Sequence, residues 1–317
     1  MTSPRVSVVI PTFQRRESVL RALSALMTQT LAPQEYEVIV VVDGSTDGSR
    51  DAAGALSPSY ALHVLWQENR GRAAACNAGV AAARGEVVIL LDDDMQAAPN
   101  FLAAHLSAHA HGVRLAVIGA APVLMTTDLA PPAAYIGRKF NRHLERLATL
   151  DGSLGLRDFY SGNLSIRRDV LNEVGGFDEA FTVYGNEDLE LSIRLRGAGV
   201  RIVYSPDAVA FQSYDKNFAG LAGDNVAKGR TAVLLSRKHP SALPELKIGA
   251  YHREPLVRRG GVALLLGMTR ILPGVRERVT RVVGWLGDRR VPGVERLYPT
   301  VLDYCYWCGA REAAGGR

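Results

Sequence analysis

Cysteine is scarce in this chain: Cys76, Cys305 and Cys308 are its only three among 317 residues. So odd and sparse a set excludes a disulfide framework, and Cys305-x-x-Cys308 lacks the second pair that a structural zinc site needs. Free thiols in a reducing compartment are expected. No apolar run reaches membrane-spanning length, because the most apolar late stretch, residues 262–268, lies between Arg258, Arg259 and Arg270. The opening residues are interrupted too soon, by Pro11, Arg15 and Arg16, to form a secretory leader, so cytoplasmic residence is the expectation. Several motifs are also missing. There is no Gly-x-Gly-x-x-Gly, no P-loop ending in Lys-Ser/Thr, no nucleophile elbow around Ser161 or Ser165, and no zinc spacing among the seven histidines. Lysine is absent from residue 251 onward, where 12 arginines face 6 acidic residues. Their net +6 exceeds the +5 of the whole chain, so the basicity belongs to the tail. Such a tail is expected either to rest peripherally on an anionic membrane face or another anionic partner, or to present a solvated helical face. No specific nucleic acid is expected.

What remains is ordinary globular chemistry, with 47% apolar and 22% charged residues. Val6–Ile10 reads as a short buried strand, and an apolar helical pattern follows through Leu20, Leu23 and Met27. Strands are expected again at Tyr36–Val42, Ala61–Trp66, Glu86–Leu91 and Leu115–Ala120, with helices between, one of them the alanine-rich Ala73–Ala83. This alternation predicts a mostly parallel sheet covered by helices. Pro99 is expected in the first turn of a helix, and residues 122–132 form a proline-containing linker. The second half predicts a helix at Tyr135–Leu150, a strand-like piece near Phe159, a brief helix closed by Gly175-Gly176, a helix over Glu187–Ala198 and a strand at Val200–Tyr204. Mainly helical structure follows beyond residue 215. Three regions are expected: 1–121 and 122–230, two halves of one domain, and 231–317, a basic helical extension.

In parallel α/β sheets ligands bind outside the carboxyl ends of strands, and the polar residues here gather at those ends. Asp92, Asp93 and Asp94 follow a hydrophobic strand. Three adjacent carboxylates repel one another, and a hard divalent cation, Mg²⁺ or Mn²⁺, with a diphosphate in its shell would relieve that repulsion. In an extended segment Asp92 and Asp94 would share a side, giving Asp94 direct ligation and Asp92 the ribose or metal shell. Asp43, beside Gly44, can accept from the N–H groups of uracil or guanine, or simply open a turn. Gly71 permits close backbone approach, Arg72 can pair with phosphate, and Asn77 lies further along the same helix. Glu187 and Asp188 stand at a helix start, where acids favour the helix dipole and where one could be a general base.

In order along the chain, Val6-Ser7-Val8-Val9-Ile10-Pro11-Thr12-Phe13, Val40-Val41-Val42-Asp43-Gly44-Ser45-Thr46-Asp47, Asn69-Arg70-Gly71-Arg72 with Asn77 and Gly79, and Leu91-Asp92-Asp93-Asp94 resemble nucleotide-sugar glycosyltransferase family 2. Gly162-Asn163, Gly175-Gly176-Phe177-Asp178-Glu179 and Glu187-Asp188-Leu189-Glu190-Leu191 continue the resemblance, which covers about residues 4–212. It implies a GT-A-like, Rossmann-type fold with a helical C-terminal extension. It implies inverting transfer from a nucleoside-diphosphate sugar, UDP-linked by family frequency, to a hydroxyl-bearing acceptor. Pro11, Thr12, Phe13, Asp43, Gly71, Arg72, Asn77 and Asp92–Asp94 are implied at the donor. Gly162, Asn163, Gly185 and Asn186 are implied at the acceptor, and Asp188 or Glu187 as base. Asp92 and Asp94 match the family's Asp-x-Asp metal element, and Gln212 stands where many relatives carry a metal- or phosphate-contacting histidine. The family often has asparagine at the position of Gln14. A nucleotide-sugar-binding protein without catalysis and a metal-dependent nucleotidyltransferase are the competing classes.

Overall fold

The computed structural model describes residues 3–110, 112, 114–150 and 154–315. Its nine strands are β1 (Val6–Thr12), β2 (Tyr36–Asp43), β3 (Ala61–Gln67), β4 (Val87–Leu91), β5 (Met95–Ala97), β6 (Leu115–Gly119), β7 (Asn163–Arg167), β8 (Arg201–Ser205) and β9 (Ala210–Gln212). Twelve α-helices accompany them among the described residues: α1 (Arg16–Leu26), α2 (Ser49–Gly54), α3 (Arg72–Ala82), α4 (Phe101–His109), α5 (Pro131–Ala148), α6 (Arg168–Glu173), α7 (Glu187–Gly197), α8 (Phe218–Lys238), α9 (Lys247–Ala250), α10 (Leu256–Ile271), α11 (Val275–Asp288) and α12 (Tyr298–Ala313). Seven strands form one sheet in the order β3-β2-β1-β4-β7-β6-β8, while β5 and β9 pair antiparallel beside it.

The expected parallel character holds for β1 with β2, β1 with β4, β2 with β3, and β6 with β8. β7 is the exception, running antiparallel to both β4 and β6. Strand alternation sends Val9, Ile39, Val41, Val88 and Leu90 to one face, where Ala75 and Val80 of α3 and Leu191 and Leu195 of α7 cover them. The opposite face takes Val8, Ile10, Val38, Val40 and Ile89, covered by Leu23 and Leu26 of α1 and Phe101 of α4. Helices on both faces explain why β1, β2 and β4 read as continuous apolar runs.

Three local expectations need correction. The strand-like piece near Phe159 is a short 3₁₀ turn at Leu156–Asp158, and the strand itself begins at Asn163. Pro99 lies outside α4, whose N-cap is Asn100. Residues 92–94 are a turn rather than extended chain, since the Met95 N–H bonds to the Asp92 carbonyl at 3.1 Å. The same-side argument for Asp92 and Asp94 therefore fails.

The chain forms two compact units. One comprises residues 1–124, 140–182 and 187–213 and contains both sheets. The other comprises 125–139, 183–186 and 214–317 and is helical, built around Phe218, Leu221, Tyr298, Val301 and Tyr304. The boundary expected after residue 121 lies beside the break after 124, whereas that expected after 230 falls inside α8. Gly185 and Asn186, expected with the second half of the domain, instead pack on α8: the Asn186 side-chain amide donates to the Lys228 carbonyl at 3.0 Å and to the Thr231 hydroxyl at 2.7 Å.

Candidate active site

The carboxyl ends of β1, β2 and β4 bring most of the expected residues together within the sheet unit. Asp43, at the end of β2, is buried, and its carboxylate accepts from Gln67 Nε2 at 2.8 Å and from the backbone N–H groups of Arg70 and Gly71, both at 2.9 Å. It thereby fixes the loop that launches α3. Gly71 has φ +89°, and a Cβ there would stand 2.8 Å from the Thr182 carbonyl oxygen, so glycine is required on both counts. The next residue, Arg72, donates to Asp92 Oδ1 at 2.7 and 3.2 Å and to Ser161 Oγ at 3.0 Å, and lies 3.7 Å from Glu187. Burial works against its charge, yet Asp92 and Glu187 hold its pKa well above the ordinary value. The Arg72 guanidinium also lies 5.9 Å over the Phe177 ring, which completes the clamp.

The acidic turn is held by two arginines rather than one. Arg15 Nη1 bridges Asp93 at 3.2 Å and Asp94 at 3.0 Å, and Thr12 donates to Asp93 at 2.7 Å. Burial pushes Asp93 up to about 7 against the pull of Arg15 and Thr12, with Asp94 and Asp92 pushing the same way as burial. Asp94 is raised by burial and by Asp92. Burial is thus the main force acting against the charged forms of Asp93 and Asp94. Asp94 is further tied down by the Ser213 N–H, which donates to its carbonyl at 2.8 Å, and by Gln212 Nε2, 3.4 Å from both carboxylate oxygens. Gln212 thus turns its amide nitrogen, a donor, towards Asp94; its oxygen would have to rotate inward to ligate a cation.

No group of three or more His, Cys, Asp or Glu side chains arranged as a metal cage occurs among the described residues. The donor set nevertheless fits a hard cation. Asp92, Asp94 and the Gln212 carbonyl offer oxygen ligands only, and a divalent ion beside them would favour the charged forms that burial disfavours at Asp93 and Asp94.

Other expected residues take different places. Asn163 is fully buried, and its side chain donates to the Ala120 and Ala208 carbonyls at 2.9 Å each and accepts from His105 Nε2 at 2.9 Å. Its side-chain polar atoms are used inside the sheet unit, where they fasten strand ends. The adjacent Gly162 does border the acidic turn: its carbonyl accepts the Asp92 N–H at 2.9 Å, and a Cβ there would collide with Asp92 Oδ2. Asn77 is likewise a brace, since both ends of its amide bind Phe177 and it also donates to Glu179 at 3.0 Å. Pro11 is buried within β1, and Phe13 just beyond it is exposed. Glu187 is buried against Arg72, whereas Asp188 is half-buried and caps its own helix start, accepting the Leu189 N–H at 2.8 Å. Cys305 and Cys308 are buried free thiols, as expected.

Two contributors escaped the sequence reading. Arg15 belongs to a loop with no motif of its own, and only the position of Asp93 and Asp94 reveals its use. His105 was one of seven unremarkable histidines; it hydrogen-bonds both Asn163 and, at 2.8 Å, Ser165. Gln14 sits at φ +54°, a conformation that asparagine tolerates better, which accounts for the family's preference there. Hydrogen bonds to Ser45 and Thr46 at 2.9 Å hold the glutamine in place.

Residues 7–175 match the family model described as Glycosyl transferase family 2. The chain belongs to that family. Residues 142–215 also match the model described as the N-terminal domain of galactosyltransferase. Among family 2 relatives, the chain is 30% identical over 272 residues to validoxylamine A glucosyltransferase of Streptomyces hygroscopicus subsp. limoneus, covering 77% of this chain and 58% of that protein. It is 27% identical over 298 residues to the pre-mycofactocin glycosyltransferase of Mycobacterium tuberculosis, covering 93% and 59%. The chain thus spans less than two thirds of the length of these curated relatives. The mannosyltransferase PcManGT of Pyrobaculum calidifontis, solved with GDP-Man and Mn²⁺, superposes with TM-score 0.64 at 21% identity, covering 99% of this chain and 88% of that one. That likeness establishes the GT-A fold of this family 2 chain.

Proposed function

We propose that this chain transfers a sugar from a nucleoside-diphosphate sugar to a hydroxyl acceptor by single displacement with inversion at the sugar carbon. One observation carries the reading: Asp43, Arg72, Asp92–Asp94 and Glu187 are linked in one unit at the carboxyl ends of the parallel strands, with Asp188 the next residue after Glu187. Asp43 fixes the 70–71 loop and offers its remaining lone pairs to the base. Arg72 sits where the departing diphosphate gathers charge, and Glu187 positions that arginine. Asp94, Asp92 and a rotated Gln212 would hold Mn²⁺ or Mg²⁺, which when bound stabilises the leaving diphosphate. Asp188 takes the proton from the attacking hydroxyl. It is preferred to Glu187 because Glu187 is buried against Arg72.

UDP is the nucleotide the family resemblance favours, and the neighbour's GDP-Man complex makes guanosine diphosphate the competitor. A panel of nucleotide sugars titrated with and without Mn²⁺ or Mg²⁺ identifies the donor. Asp188→Asn is expected to lower kcat by about 10²–10⁴ while leaving donor affinity unchanged. Near-normal transfer by Asp188→Asn would remove it as base, and a product of retained configuration would remove the single displacement.

A further inference from the structure

The helical unit carries an apolar face turned to solvent. On α10, Leu256, Val257, Leu264 and Ile271 are 78%, 91%, 66% and 80% exposed, and Met268 is also exposed. At 3.6 residues per turn these five positions, with Gly260 and Gly267, fall within about one third of the helix circumference. The reverse side, Val262, Leu265 and Leu266, packs into the core of the unit. α10 is therefore apolar on both sides although only one side has a protein partner. Exposed leucine and isoleucine in a contiguous stripe mark an interaction site.

We propose that this face of α10 docks in the interfacial layer of an anionic lipid surface. Charge selects the occupant. α10 contains no Asp or Glu, and Arg259 and Arg270 flank the stripe without a carboxylate partner among the described residues, whereas Arg258 is paired with Glu254 at 2.6 Å. A second copy of this chain would set that arginine rim against itself; lipid phosphates oppose it with the complementary sign. α11 adds exposed Val282 and Trp285, with the Arg289 guanidinium 4.3 Å over the indole, a pairing suited to the headgroup boundary. No described helix is long and apolar enough to cross a membrane, so the helix lies in the plane of the interface.

The test is flotation of the full chain with vesicles of phosphatidylcholine alone and of phosphatidylcholine containing about one third phosphatidylglycerol. Binding to the anionic vesicles is expected to be at least about tenfold tighter and to weaken with salt. The double variant Leu264→Gln/Ile271→Gln should lose at least about tenfold in that binding. Its circular-dichroism melting should not change, because both side chains are solvent-exposed. Arg259→Gln/Arg270→Gln should erase the preference for anionic lipid. Absence of binding, equal binding to both vesicles, or full binding by the Leu264/Ile271 variant would overturn the proposal. So would a dimer, seen by light scattering, that the same variant dissolves. Nucleotide-sugar titration of the same samples reports separately on the donor site.

Discussion

Replacing Asn163 by alanine puts the largest demand on the interior beneath the site. The wild-type side chain is fully buried and makes three hydrogen bonds: two donated to the Ala120 and Ala208 carbonyls and one accepted from His105. The variant takes one partner from each of two carbonyls and one ring N–H in a dry interior, and each group left unsatisfied costs about 1–3 kcal/mol. Ala120 O also accepts the Ala210 N–H at 2.9 Å, so one carbonyl keeps a partner and the sum falls near the lower end, roughly 3–5 kcal/mol. For a unit of this size that corresponds to a fall of about 10 °C in Tm. Thermal and urea unfolding followed by circular dichroism measure it. A loss below about 1 kcal/mol would refute the reasoning, because a buried residue with three satisfied partners cannot be that cheap to remove. Since Ala120 and Ala208 lie beside β9, whose Gln212 contacts Asp94, the folded variant should also bind cation and donor more weakly at temperatures well below its Tm.

Acid should weaken the same network. Burial lowers His105 to about 3 and His109 to about 4, so both stay neutral in the fold while the unfolded chain protonates near 6.5. The unfolded state then binds more protons, and stability should be complete above pH 6.5 and fall progressively as pH drops towards 4. His109→Asn should flatten that dependence; an unchanged slope would exclude the histidine. Arg15→Met should tighten Mn²⁺ binding by about tenfold, since it removes the cation that competes for Asp94, and isothermal titration decides between tightening and loosening. Gly162→Ala should push the Asp92 carboxylate off Arg72 and raise the donor Kd while circular dichroism still reports a folded sheet.

The first half of the chain was legible because β1, β2 and β4 are buried on both faces and are built mainly of valine, isoleucine and leucine. β7 was not legible, for the opposite reason. Asn163-Leu164-Ser165-Ile166 alternates like a half-exposed strand, but its polar positions face His105 and His109 and its apolar positions enter the core. A buried polar strand can be recognised only when its partners are known, and these lie about 60 residues away. Residues 92–94 misled in a similar way. The run looked like the tail of β4, whereas hydrogen bonds from Thr12, Arg15 and Ser213 fold it into a turn. Asp43 and Arg72 were found readily because glycine and charge at a strand end are unusual enough to stand out without tertiary context.

The antiparallel strand β7 also sets the order in which this protein can come into being. Asp92 meets Gly162, and Asp94 meets Ser213, so the acidic turn closes only on segments made some 70 and 119 residues later. On the ribosome, at about 5–20 residues per second, the strands of the first half can pair well before those partners emerge. The nascent sheet then ends at β4 with an open edge and three crowded carboxylates. Completion of the acidic turn is thus the last step in building the sheet unit's strand ends, and any stall in synthesis between residues 94 and 213 leaves a chain that can fold its first strands but cannot complete that turn.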